Sequence, residues 1–115
     1  MPHVRVTFFE DQTIRDALKV NITNIETLVA NEFGYPEENI KVIPEPISPQ
    51  DQEIASNIDG LIFSITAGSR VMQKAKEHSD QLTQKISTLP ELHPIHFVVL
   101  LQPHQGMVMS EHKPS

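Results

Sequence analysis

Met1-Pro2-His3-Val4-Arg5-Val6-Thr7-Phe8-Phe9 opens the chain, and its reading decides the fold class. Val4, Val6 and Phe8 alternate with His3, Arg5, Thr7 and Phe9, the period of a strand with two unlike faces. Pro2 can begin such a strand, because a first residue needs no ladder donor. The stretch lacks the basic start and long apolar core of a secretory signal. An initiator Met followed by a small residue such as Pro is normally trimmed. Trimming would leave Pro2 with a free secondary amine. A free α-amino group has a pKa near ~7.7–8, and an apolar setting lowers it further by disfavouring the charged form. Pro2 therefore has two readings, as a plain strand starter and as a base or nucleophile.

Outward from that strand, Glu10-Asp11-Gln12 turns the chain, and a helix is predicted from near Thr13, with Thr13 and Asp16 as a capping box. Ile14, Leu18, Ile22, Ile25, Val29 and Phe33 repeat at helical spacing and form one apolar stripe. Gly34 ends the helix and Pro36 stops it. A second strand is predicted over 39–43, cut short by Pro44 and Pro46. Residues 47–59 are polar and read as a connection, with Ser48 or Asp51 able to cap one short helical turn before Ile54 and Ile58. Gly60 opens a third strand, Leu61-Ile62-Phe63-Ser64-Ile65-Thr66. Ala67-Gly68 turns, and Ser69 can cap a second helix. Its stripe is Val71, Ala75, Leu82, Ile86 and Leu89, interrupted at His78 or Ser79, and Pro90 stops it. The last strand is predicted over 95–101. Beyond Pro103 the chain is polar and without period apart from Met107-Val108-Met109, so residues 103–115 read as a tail that stays mobile unless a partner holds it.

This order is β-α-β twice. The fold class is α+β, with a four-stranded mixed sheet and two helices on one face. A single domain spans 1–102, with βαβ units at 2–46 and 60–102 joined by 47–59. Two helices cover only one sheet face. The opposite face mixes Arg5, Lys41, Ser64, Thr66 and His96 with Phe9, Ile43, Ile62, Val98 and Leu100. That is too apolar for water and too polar for a dry core, and parallel strands are normally covered on both sides. An oligomer whose other subunits cover the second face is expected.

Composition narrows the function. The 115 residues suit one domain. There is no Cys, hence no disulfide, thiolate nucleophile or Cys-based zinc site, and a cytoplasmic location fits. Net charge is −6 with scattered cations, which argues against nucleic acid. No apolar run approaches the ~20 residues of a membrane span. His93 and His96 lie three apart on a predicted strand and so face opposite ways. No metal site is expected, and no cofactor: the four glycines form no phosphate loop.

The Met-Pro start, the helix ending in Gly34-Tyr35-Pro36, the Thr66-Ala67-Gly68-Ser69-Arg70 turn and the paired βαβ layout together resemble the tautomerase superfamily. The likeness is to its long forms with two βαβ units, such as macrophage migration inhibitory factor and 5-carboxymethyl-2-hydroxymuconate isomerase. It extends to about Gln102. It implies a homotrimer with pockets at subunit boundaries, a small carboxylate substrate of the 2-oxo or enol class, and mature Pro2 as general base. A single base near neutral pKa can remove a proton from one atom and return it to another. The growing enolate and the carboxylate call for fixed donors or cations.

Lys41 stands where short tautomerases have a substrate-binding Arg, and can hold a carboxylate as a point charge. Arg70 falls at the expected start of the second helix, a place that suits a cation only if an anion joins it. His96 occupies the position of a pocket Tyr, where it would donate a hydrogen bond or else sit buried and satisfied. Tyr35 replaces a substrate-contacting Lys, Gln12 an anion-binding Arg and Val98 a pocket Asn. Two functions therefore follow. One is a tautomerase or isomerase with Pro2 as base and Lys41, Arg70, His96 and Tyr35 around the substrate. The alternative is a non-catalytic oligomeric module of the same fold that binds a ligand or a protein.

Overall fold

The computed structural model describes residues 3–9, 11–47, 60–68, 73–101 and 107–114, the side chain of Phe9 excepted. The elements are β1 (His3–Phe9), α1 (Gln12–Phe33), β2 (Lys41–Ile47), β3 (Leu61–Thr66), α2 (Ala75–Ser87), β4 (Phe97–Leu101) and β5 (Val108–His112). They build one sheet in the order β2-β1-β3-β4-β5. β1 and β2 are parallel, as are β3 and β4. The β1–β3 and β4–β5 pairs are antiparallel. The two βαβ units and the mixed α+β sheet are thus as the sequence predicts, but the sheet has five strands rather than four.

The fifth strand is the principal correction. Polar composition makes 103–115 read as a loose tail, yet Val108–His112 pairs with β4 along its whole length. Its central inward residue is Ser110, which is buried, and Val108 on the same face packs against the core. A buried hydroxyl needs a partner, and Ser110 donates to Asp80 Oδ1 of α2 at 2.5 Å. Lys76 Nζ donates to the Met109 carbonyl at 3.1 Å and pairs with Asp80 at 3.1 Å. Polar contacts to α2 do here what an apolar residue would do in an ordinary core strand.

β2 runs to Ile47, past both prolines that were expected to end it. Among the described residues its only strand neighbour is β1. Pro44 and Pro46 lie two residues apart, so both missing N–H groups fall on the same, outward side, where no ladder bond is lost. α1 begins one residue earlier than predicted, because Asp11 is its N-cap and accepts from the Ile14 N–H at 3.1 Å. Its end is as predicted: Gly34 takes the left-handed conformation (φ 75°) and donates to the Ala30 carbonyl at 2.8 Å. Ser69 and Val71, expected in the second helix, lie outside the described residues, as does the turn expected between 48 and 59. β4 starts at Phe97, two residues later than predicted.

The core lies between the helices and one sheet face. Val4, Val6, Phe8, Val42, Leu61, Phe63, Ile65, Phe97, Val99 and Leu101 are buried there against Leu18, Ile25, Val29, Leu82 and Ile86. Phe63 and Phe97 meet edge to face, centroids 5.6 Å apart. Ser79, the interruption in the α2 stripe, is fully buried and donates to the Val99 carbonyl at 3.0 Å. Among the described residues no buried side-chain polar atom lacks a partner. The two helices are joined by Glu32 of α1, which meets His78 Nδ1 at 2.7 Å and Lys85 Nζ at 3.0 Å.

Two outcomes follow from these contacts. A Cβ on Gly60 would lie 1.7 Å from the His96 carbonyl oxygen, which accepts the Leu61 N–H at 3.0 Å. Since both atoms are backbone, Gly60→Ala must push β3 from β4, and urea unfolding should show a loss of about 2–4 kcal/mol. Hydrogen bonds from Ser110 and then Lys76 hold the Asp80 carboxyl below its ordinary pKa. A depressed folded pKa contributes stability that is present above the unfolded value and lost as pH falls through the folded one. Amide exchange at 108–112 should therefore accelerate selectively below about pH 4. Ser110→Ala should accelerate it at neutral pH and flatten that acid response.

Candidate functional site

The face of the sheet away from the helices is open among the described residues. Register places His3, Arg5 and Thr7 of β1 between Lys41, Ile43 and Glu45 of β2 and Thr66, Ser64 and Ile62 of β3. Farther across lie Val98 and Leu100 of β4, then Glu111 and Met109 of β5. The face is divided. Its β3–β5 side is largely apolar and its β2–β1 side is polar. On the polar side His3, Arg5, Thr7, Glu45, Ser64 and Thr66 line a depression of about 540 Å³. It is large enough for a small-molecule ligand, given the ~300–1,000 Å³ of typical sites.

Charge within this depression is already partly matched. Arg5 Nη1 lies 3.6 Å from Glu45 Oε1, and both side chains are well exposed, so the pair contributes only ~0–1 kcal/mol. Its effect is to occupy Arg5. Lys41 stands directly beside His3 in the ladder, on the same face. It is exposed and makes no side-chain hydrogen bond or ion pair among the described residues. A cation with no carboxylate beside it is free to meet an anionic ligand.

Tyr35 lies at the same end of the sheet. Its main chain caps α1 by donating to the Ala30 carbonyl at 3.0 Å, and its ring packs against the core. The hydroxyl sits against Gly68, 3.3 Å from where a Cβ would be. Gly68 follows Thr66, the ladder partner of His3. Lys41, His3, Thr66, Gly68 and Tyr35 thus gather where β1 and β2 begin and β3 ends.

His96 is not part of that gathering. It precedes β4, beside Gly60, at the far end of the sheet. Six residues of strand separate that end from His3, roughly 20 Å at the usual rise. His96 Nε2 meets Glu111 Oε2 of β5 at 2.6 Å, so the fold supplies the carboxylate that the local sequence lacks. Nearby, His112 Nε2 donates to the His93 carbonyl at 2.8 Å, and the His112 ring lies over Phe97. Among the described residues no group of three or more His, Asp or Glu side chains could hold a metal. Pro2 and Arg70, the predicted base and the second predicted cation, lie outside the described residues. Thr7, Ser64 and Thr66, hydroxyls lining the depression, were not singled out from sequence. Only the strand parity they share with His3 and Arg5 could have flagged them.

No family model matches the sequence, and no curated protein is similar to it. Solved structures are. Pt0534 inactivated by 2-oxo-3-pentynoate superposes over 91% of this chain and 90% of its own, with TM-score 0.56 and 15% identity. The macrophage migration inhibitory factor-like protein of Entamoeba histolytica does so over 91% and 90%, with TM-score 0.53 and 13% identity. A wild-type fused 4-OT symmetric trimer does so over 88% and 84%, with TM-score 0.51 and 18% identity. The chain shares the fold of these three structures. The resemblance read from sequence thus holds at the level of architecture. No helix among the described residues is long and apolar enough to cross a membrane.

The Tyr35–Gly68 contact can be tested as a pair. A Cβ at Gly68 would have to displace the Tyr35 hydroxyl by a few tenths of an ångström. Gly68→Ala should cost about 0.5–1 kcal/mol in the wild-type background and distinctly less in Tyr35→Phe, which removes the atom it meets. A double-mutant cycle by chemical denaturation reads this coupling.

Proposed function

We propose that this protein is a tautomerase or isomerase that moves a proton on a small 2-oxo or enol carboxylate. Lys41 carries the reading. It is a cation without a partner among the described residues, one ladder position from His3, and His3 is bonded to Pro2. Removal of Met1 gives Pro2 a secondary amine. That amine takes the proton from the carbon or enol oxygen and returns it to the other site, so one base serves both steps. Lys41, with Arg70 as a second cation, holds the substrate carboxylate. The Tyr35 hydroxyl closes one side of the pocket. The 2-oxo-3-pentynoate that inactivated Pt0534 belongs to the same chemical class, a small 2-oxo acid.

The working unit is a homotrimer. The division of the open face supports this, since water is a poor neighbour for the partly exposed Ile62 and Leu100, and a fused 4-OT of the same fold forms a symmetric trimer. In such an assembly His96, remote from Lys41 in its own chain, acts from a neighbouring subunit.

Enol–keto turnover of phenylpyruvate or 2-hydroxymuconate tests the assignment, with loss of Met1 first verified by mass. Pro2→Ala should reduce kcat by about 10²–10⁴-fold. Lys41→Ala should raise KM about tenfold while leaving kcat nearer to wild type, and Lys41→Arg should restore binding. Turnover that is unchanged in Pro2→Ala would remove the proposed base.

A further inference from the structure

The depression on the open face carries more chemistry than the cation beside it. Every described side chain that lines it is polar or charged. Three are hydroxyls, Thr7 on β1 and Ser64 and Thr66 on β3. Thr7 and Ser64 are half-buried. None of the three makes a side-chain hydrogen bond among the described residues. A hydroxyl has one donor and two acceptor lone pairs, so each can both give a hydrogen bond to a ligand and receive one from it.

Charge makes a second selection. Arg5 and Glu45 balance one another, with Arg5 Nη1 3.6 Å from Glu45 Oε1. That separation is longer than a hydrogen bond, and it engages one carboxylate oxygen. Glu45 therefore still offers acceptor positions and no donor. A neutral O–H suits it, whereas a second carboxylate meets a like charge. Register sets these groups in sequence. Lys41 and Thr66 flank His3; Ser64 stands beside Arg5, about 7 Å farther along the strand. Glu45 and Thr7 share the next position on the same face. A cation is thus followed along one line by hydroxyls and an acceptor.

We propose that the substrate is a polyhydroxylated 2-oxo acid, a sugar-acid chain with its carboxylate at Lys41 and its hydroxyls on Ser64, Thr7 and Glu45. The inference rests on the tautomerase reading above and narrows it. Three kinds of body can follow a carboxylate, and the depression separates them. An aryl or alkyl body would cover the three hydroxyls and Glu45 without bonding them, and polar groups left unpaired cost free energy. A dicarboxylate would bring its second charge to Glu45. A hydroxylated chain matches every group in the line. In the reaction, a proton leaves the carbon next to the 2-oxo group for the Pro2 amine, and the electron pair moves toward the keto oxygen. The remote hydroxyls take no part in that step and serve to bind and orient.

Gluconate, hexanoate and adipate test the choice, since they share a chain length and differ in hydroxyls and in a second carboxylate. Amide NMR shifts and calorimetry read their affinities without turnover. Gluconate should bind about tenfold tighter than either of the others and perturb amides within 3–7 and 62–66. Ser64→Ala and Thr7→Val should each weaken gluconate about three- to tenfold and leave hexanoate unchanged. Glu45→Gln should narrow the gap between gluconate and adipate. Both hydroxyls lie on the face away from the core, so these variants should fold as wild type, and circular dichroism checks this. Equal affinity for gluconate and hexanoate, no saturable binding of gluconate, or unchanged gluconate binding when Ser64→Ala and Thr7→Val are combined would each overturn the proposal. Pro2→Ala should keep the preference for gluconate. Its effect on turnover concerns the base alone, so a failure of the catalytic reading shows separately from a failure of this one.

Discussion

A core on one face of the sheet is the constraint on which the structure depends. Two helices shield one side of five strands, so every strand must place its apolar residues at the same parity. β1, β3 and β4 obey this with Val4, Val6 and Phe8, Leu61, Phe63 and Ile65, and Phe97, Val99 and Leu101. Each large side chain so buried is worth ~1.5–3 kcal/mol, against ~0–1 for an exposed pair such as Arg5–Glu45. Burial therefore fixes the register, and the register decides which polar residues share the other face. The nearness of Lys41 to His3 is a by-product of burying Val4 beside Val42.

That dependence also explains how much could be read without coordinates. Regular period carried the reading of α1, β1 and β3, because apolar spacing alone defines their buried sides. Period failed at β5. There the central inward residue is Ser110, and its partner Asp80 lies thirty residues away on another element. No local window contains that compensation. The length of β2 was hidden for a related reason: a proline's cost depends on whether the strand has one neighbour or two, and sequence does not tell. At α1 the sequence pointed to Thr13 as the cap, but the backbone enters the helix earlier and Asp11 caps it.

The site was legible in a similar measure. Lys41 and Tyr35 follow from their places beside β2 and after α1, and the fold brings them to one end of the sheet. His96 was assigned a face but not a neighbourhood, since strand parity says nothing about which end of the sheet a residue occupies. Its pairing with Glu111 also required the strand that the sequence concealed. The hydroxyls of Thr7, Ser64 and Thr66 were placed on a face but given no role, because threonine and serine are ordinary on a solvated strand face. They gain meaning only when two strands align them around one hollow.

The prolines of β2 have a consequence for sheet growth. A strand joining from outside would need N–H groups from Val42, Pro44 and Pro46, and only Val42 has one. That border of the sheet cannot template a further strand. β5, at the opposite border, carries a full set of donors, with Met107 and Met109 exposed beside it. The sheet is thus terminated on one flank and extensible on the other. Among the described strands, β5 alone offers an edge through which strand-to-strand addition could propagate. Because a repeating fibre needs two competent edges per copy, the folded chain is guarded against that fate by two residues.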